Sequence, residues 1–214
     1  MARNSFYFSL LGLIVLTSCT TGTTLRSART LTKGTIELSG GLVTTNGGGA
    51  APVVIAAYGV TDSFEIEGRW EDGYIAVTPR LQLLTSEQIG LNCLTFFEVG
   101  YNDRMGLQWG PGLMMGRKWD YIEPYLSYRY RHFNHLGSHH KHENKHHREK
   151  MWLDIDESYC QYVKLGTRFY FSPPAPTNAP KHSKRWFLGI EAGPTWLQSA
   201  YGYIEFAANV GLDY

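Results

Sequence analysis

Apolar and polar residues alternate along most of this chain with a period of two. The last eleven residues show it most cleanly. Ile204, Phe206, Ala208, Val210, Leu212 and Tyr214 fall on one face, and Glu205, Ala207, Asn209, Gly211 and Asp213 on the other. Successive strand side chains point to opposite faces, so each such run is a strand with one greasy and one polar or small face. The same rule sets Phe64, Ile66 and Trp70 against Glu65, Glu67 and Arg69. It sets Ile122, Leu126, Tyr128 and Tyr130 against Glu123, Ser127, Arg129 and Arg131. Strand-like runs bounded by turn signals predict ten elements, at about 33–43, 52–60, 63–70, 74–85, 93–102, 105–118, 121–132, 158–171, 186–197 and 201–214. No run in the body repeats with the 3.6 period of a helix.

Closely spaced short strands and no helices predict an all-β fold, an antiparallel up-and-down barrel over residues 33–214. The last apolar stripe runs to an aromatic final residue, which suits a strand that closes a transmembrane barrel and faces lipid. Phe96 falls on the face expected to point inward, which leaves an eight-strand count open beside ten. A soluble lipocalin-like barrel would show the same alternation with its faces reversed, apolar inside and polar outside. In transmembrane barrels both termini lie on the periplasmic side and the long loops outside. Counting back from Tyr214 then places the longest connection, about 133–157, outside the cell. The Pro-rich stretch 172–185 is long for a periplasmic turn and fits that count poorly.

Composition sharpens the compartment. Mean hydropathy is −0.27, too low for a helical membrane protein, while 14% of residues are aromatic. Trp70, Trp109, Trp119, Trp152, Trp186 and Trp196 read as interfacial or lipid-facing positions. Arg3 followed by the apolar run Phe6–Leu16 is too short to span a bilayer and reads as a targeting segment. It ends in Leu16-Thr17-Ser18-Cys19, which resembles the bacterial lipobox. That resemblance implies a signal peptide over 1–18, a lipid on Cys19 and, since Thr20 is not Asp, sorting to the outer membrane. Residues 19–32 are rich in Thr and Ser and read as a flexible tether. Without residues 1–18 the chain carries 19 basic and 19 acidic residues, because only Arg3 is lost, and this leaves no basic footprint for nucleic acid. Cys93 and Cys160 fall at opposite ends of the predicted barrel and are expected as free thiols.

Two constellations bear on chemistry. The inward faces carry Glu65, Glu67, Glu98, Glu123, Glu191 and Glu205 against Arg69, Arg80, Arg129, Arg131, Lys164 and Arg168, with Glu37 beside them. An ion-selective lumen is one reading. A mutually paired, narrow or closed interior is the favoured one, because a barrel of eight to ten strands has room mainly for side chains. The second is the stretch 132–148, which holds seven of the eight histidines. His135, His139, His140, His142, His146 and His147 are candidate ligands for Zn, Ni or Cu. The alternative is a solvated loop whose Lys141, Lys145, Arg148 and Lys150 meet anionic lipopolysaccharide.

Over residues 33–214 the pattern and the C-terminal strand resemble small outer-membrane barrels of the OmpA and OmpX kind. The resemblance implies an outer-membrane location, the barrel-assembly machinery and envelope lipid as partners, and a monomer. No catalytic motif stands out: the His-x-Ser-Asn stretch of lipid A deacylases is absent. The functional expectation is a non-enzymatic, surface-exposed envelope lipoprotein whose His-rich loop captures a divalent metal or contacts envelope partners. The alternatives are a narrow pore and a lipid A-modifying barrel.

Overall fold

The computed structural model describes residues 23–45, 50–86, 90–102, 106–134, 157–172, 184–197 and 201–214. Ten strands follow one another: β1 (Ile36–Thr45), β2 (Ala50–Thr61), β3 (Phe64–Glu71), β4 (Tyr74–Ser86), β5 (Leu91–Asn102), β6 (Gly106–Arg117), β7 (Ile122–Asn134), β8 (Glu157–Tyr170), β9 (Arg185–Leu197) and β10 (Tyr201–Asp213). Each pairs antiparallel with its neighbours in sequence, and β1 pairs with β10, so the sheet is closed. Closure leaves no edge, the condition a sheet must meet in lipid. Both β1 and β10 have their outer ends at one rim, here the terminal mouth. The β1–β2, β3–β4, β5–β6, β7–β8 and β9–β10 connections lie at the far mouth.

Which face is outside is decided by burial. Leu165 is 67% exposed, Ile75 63% and Leu38 56%, whereas Glu65, Glu123 and Arg168 are fully buried. Polar faces point into the lumen and apolar faces form the outer wall. That is a transmembrane β-barrel, and it removes the lipocalin-like alternative, which needs the reverse. The outer wall also carries Trp70, Trp119, Tyr121, Trp186 and Tyr214 near the strand ends, where amphipathic rings suit a membrane–water interface. Trp109 faces outward as well, stacked on Phe97 with ring centroids 6.1 Å apart.

Local sequence explains the turns and irregularities. The β3–β4 hairpin turns on Asp72 and Gly73, both at positive φ (32° and 81°), the geometry of a two-residue Asp-Gly turn. Two Gly-Pro pairs sit inside strands. Pairing of β6 with β7 lapses at Gly110-Pro111, and that of β8 with β9 lapses at Gly193-Pro194. Proline offers no amide to the ladder, which leaves a neighbouring carbonyl without its usual donor. At the second lapse Lys164 Nζ takes up the slack, donating to the Gly193 carbonyl at 2.8 Å.

Phe96 does point inward, yet the barrel has ten strands. The eight-strand option arose because an inward aromatic looked like a break in the pattern. The resolution is a glycine on the neighbouring strand. A Cβ built on Gly112 would fall inside the Phe96 ring. Tyr74 lies over Gly100, Tyr125 over Gly166 and Phe187 over Gly211 in the same way. Gly112→Val is therefore expected to cost about 1–3 kcal/mol through overpacking. Gly68→Val, where the nearest atom to a new Cβ is 3.9 Å away, is expected to be near neutral. Urea titration of the refolded barrel in detergent micelles checks the contrast.

Candidate functional site

The lumen is filled by charged side chains and by the chain's own N-terminal segment. Among the buried described residues, Glu37, Glu65, Glu67, Glu71, Glu98, Glu123, Glu191 and Glu205 face Arg26, Arg69, Arg80, Arg129, Arg131, Lys164, Arg168 and Arg185. Alternation puts them there: each sits at an inward position of its strand, except Arg26, which precedes β1.

Two groups of ion pairs divide the lumen. Toward the terminal mouth, Arg26 pairs with Glu37, with Glu65 at 2.8 Å and with Glu67 at 3.3 Å. Arg168 grips Glu37 with two nitrogens, each 2.9 Å from an oxygen. Arg80 reaches Glu65 at 2.8 Å and Glu67 at 3.5 Å. Toward the far mouth, Glu98 accepts from Arg129 at 2.9 Å, Arg131 at 2.6 Å and Tyr74 Oη at 2.8 Å. Arg131 lies between the Tyr74 and Tyr162 rings, 4.9 and 5.3 Å from their centroids. Lys164 pairs with Glu205 at 2.7 Å. Arg69 meets Glu67 at 3.3 Å and Glu71 at 4.0 Å. Charges removed from water need such partners, since an unpaired one costs several kcal/mol.

Residues 23–30 run through this lumen without regular structure, and only Arg29 among them is exposed. Their Thr- and Ser-rich sequence predicts part of a flexible tether. Here they are buried, and their backbone is satisfied by side chains of the wall. The amides of Thr24 and Leu25 donate to the two oxygens of Glu191, at 2.8 and 3.0 Å. The Ala28 amide and the Ser27 hydroxyl donate to Glu123, at 3.0 and 2.6 Å. The Thr30 amide donates to Gln82 at 2.8 Å, and that of Leu31 to Glu65 at 2.6 Å. Carbonyls are met by cations. Arg69 donates to Thr23 and Thr24, Arg168 to Leu25 at 2.7 Å and Arg80 to Ser27 at 2.6 Å. Carboxylates, with the Gln82 amide oxygen, accept from most of these N–H groups, and arginines donate to the C=O groups. Irregular backbone at membrane depth is tolerated only where protein supplies such partners. Apolar side chains add to the fit: Leu25 packs with Val43, Val53, Ile55 and Ala207, and Ala28 with Leu94, Phe96, Met114 and Tyr125.

The thirteen inward charges read from sequence, Glu37, Glu65, Glu67, Arg69, Arg80, Glu98, Glu123, Arg129, Arg131, Lys164, Arg168, Glu191 and Glu205, are all buried in this lumen. Their roles differ. Glu123 and Glu191 serve the N-terminal segment and the hydroxyls of Tyr170 and Tyr125, at 2.6 and 2.9 Å. Arg26 and Gln82 act here without having been singled out. Arg26 carried one signal, as an arginine next to a leucine amid Thr and Ser. Cys93 is half-buried and Cys160 buried, and neither is in a disulfide. Cys19 and the six proposed metal ligands, His135, His139, His140, His142, His146 and His147, lie outside the described residues. Among the described residues, no three His, Cys, Asp or Glu side chains group as a metal site. His132 is described, with its ring 5.0 Å from that of Trp109. The His-rich stretch connects β7 to β8, so it leaves the barrel at the far mouth.

No protein-family model matches the chain, and no curated protein does. Solved structures similar to it include the N-terminal β-barrel domain of Pseudomonas aeruginosa OprF, 10% identical with a TM-score of 0.37, covering 86% of this chain and 100% of that one. The NanC porin is 9% identical with a TM-score of 0.39, covering 84% and 98%. The KdgM porin is 10% identical with a TM-score of 0.36, covering 84% and 98%.

Proposed function

We propose that this protein is a closed bacterial outer-membrane barrel, lipid-anchored at Cys19, that acts as a surface component of the envelope. Its far-mouth segment 132–148 captures a divalent metal. The observation that supports this reading most is the occupied lumen: residues 23–30 and the paired charges around them leave the interior to the protein itself. A barrel without an open interior works through what it displays at its rims. What it displays at the far mouth includes a tract in which seven histidines fall within seventeen positions. Neutral imidazoles at that density suit Zn, Ni or Cu without a deep pocket.

Titration decides the metal half. Replacing 135–150 by a short Gly-Ser linker leaves β7 and β8 intact, and Zn or Ni binding measured by calorimetry is expected to be lost. Unchanged affinity in the shortened protein would remove metal capture from the reading. Mass spectrometry of the mature N-terminal peptide tests the lipid separately.

A second reading, a gated pore, has one observation in its favour. The N-terminal segment is held to the lumen wall largely by polar contacts, each of which water can replace. Planar-bilayer recording of the intact protein separates the two, since a closed barrel gives no discrete current steps.

A further inference from the structure

We infer that the terminal mouth holds a binding site for a phosphate-bearing anion, with Arg29, Lys118 and Arg185 as its cations. The three come from separate parts of the chain: Arg29 precedes β1, Lys118 follows β6 and Arg185 opens β9. Strand direction brings the last two to this mouth, and the N-terminal segment brings the first. Two cavities open there, of about 260 and 330 Å³. Among the described residues Arg29, Lys118 and Arg185 line both, and no other residue does. A ligand at the boundary between the cavities therefore meets all three charges. Thr85 and Ser86 add hydroxyls to the wall of the larger cavity.

These charges are the exception in the barrel. Seven of the eight buried bases of the lumen lie within ion-pair distance of a carboxylate. Arg185, the eighth, is only 8% exposed, yet its partners are two backbone carbonyls, those of Ser172 at 2.8 Å and of Asp120. They satisfy its N–H groups and leave its charge without a counter-ion. Lys118 is half-buried and Arg29 exposed, and among the described residues neither has a carboxylate within ion-pair distance. Lys118 and Arg185 are also held against one ring, with Nζ and Cζ 5.1 and 3.9 Å from the centroid of Tyr170. Two like charges gathered at one ring repel unless an anion lies between them. The carboxylates nearby stand apart from the boundary: Asp213 lines the smaller cavity and Asp120 the larger. Glu37, the other acid of the smaller cavity, is held by Arg26 and Arg168. A phosphate monoester brings about 1.5 to 2 negative charges and three acceptor oxygens, one for each cation. A carboxylate brings a single charge and fits three cations less well.

Calorimetric titration of the full chain, refolded in a non-ionic detergent at low salt, tests this with three probes. Inorganic phosphate and glycerol phosphate are the soluble ones, and phosphatidic acid in the micelle is the lipid one. At least one is expected to bind. Arg29→Ala and Lys118→Ala are each expected to weaken that binding about tenfold, the loss of one charge-assisted contact. Lys33→Ala and Lys184→Ala are expected to leave it unchanged, since these exposed lysines line neither cavity. Heat modifiability in gels shows that each variant has formed its barrel. Binding of the soluble probes assigns a free phosphate ligand, and binding of phosphatidic acid alone assigns a lipid headgroup. Absence of binding by all three probes would overturn the inference. So would equal weakening by all four substitutions, which would reduce the site to a diffuse basic rim.

Discussion

Deleting residues 23–30 is expected to turn a silent barrel into one that passes discrete, cation-preferring current in planar bilayers. The segment occupies the terminal half of the lumen and contributes Arg26, which meets Glu37, Glu65 and Glu67 there. Without it the buried wall residues that remain number eight acids and seven bases, as the burial of the described residues shows. Acids that had accepted from the segment's amides, Glu123 and Glu191 above all, would then face water. A polar cavity of that kind fills with solvent readily. The reversal potential in a KCl gradient should carry the sign of a cation-selective pore. Silence in the deleted protein would show that the far-mouth cluster seals the lumen unaided. That outcome would remove the gated-pore reading and leave the closed-barrel reading intact.

The second large effect is expected at that far-mouth cluster. Glu98 is the acceptor for Arg129, Arg131 and Tyr74 together. Glu98→Leu leaves two guanidinium groups buried without their shared carboxylate. Breaking a buried pair by removing one partner typically costs about 3–5 kcal/mol, and here two pairs fail at once. Stacking of Arg129 on Phe96, 5.0 Å from its ring centroid, and of Arg131 on Tyr74 recovers part of the loss. Urea unfolding in micelles should show a lowered midpoint. Adding Arg129→Leu to Glu98→Leu should restore part of the stability, because one orphaned charge disappears. If the double variant were the less stable by the sum of the two single losses, the coupling argued from the geometry would be absent.

Much of the wall was legible because a barrel strand states its two faces in alternate letters. Glu65, Glu67 and Arg69 needed only their parity to be placed inside, and the charged lumen follows from where those side chains must go. The inward aromatics were harder to read, since Phe96 and Tyr125 look like errors in an alternating pattern. Their explanation is a glycine opposite, Gly112 or Gly166, and cross-strand register is not written in either strand alone. Residues 23–30 were misread for a different reason. A segment without period looks like a tether when its partners are not known. Its order comes from Glu191, Glu123, Arg168 and Arg80, which lie between 53 and 167 positions away in sequence. The charges of the wall and the irregularity of the segment were both visible, but not that each answers the other. The histidine tract stayed at the level of composition throughout.

The seam between β1 and β10 carries a constraint on the order of assembly. It runs from Glu37 opposite Asp213 to Thr45 opposite Glu205, and it is tied off where Ile36 and Tyr214 exchange backbone hydrogen bonds at 2.9 and 2.8 Å. The tenth strand to be synthesised is therefore the one that locks the first, and the ring cannot close until β10 has been made. Residues 23–30 are made before any strand. A sheet that curls around a segment already lying on its inner face avoids pulling a chain through a finished ring, with its charged side chains stripped of water on the way. The seam then acts as a clasp, and whatever lies inside when it shuts is kept.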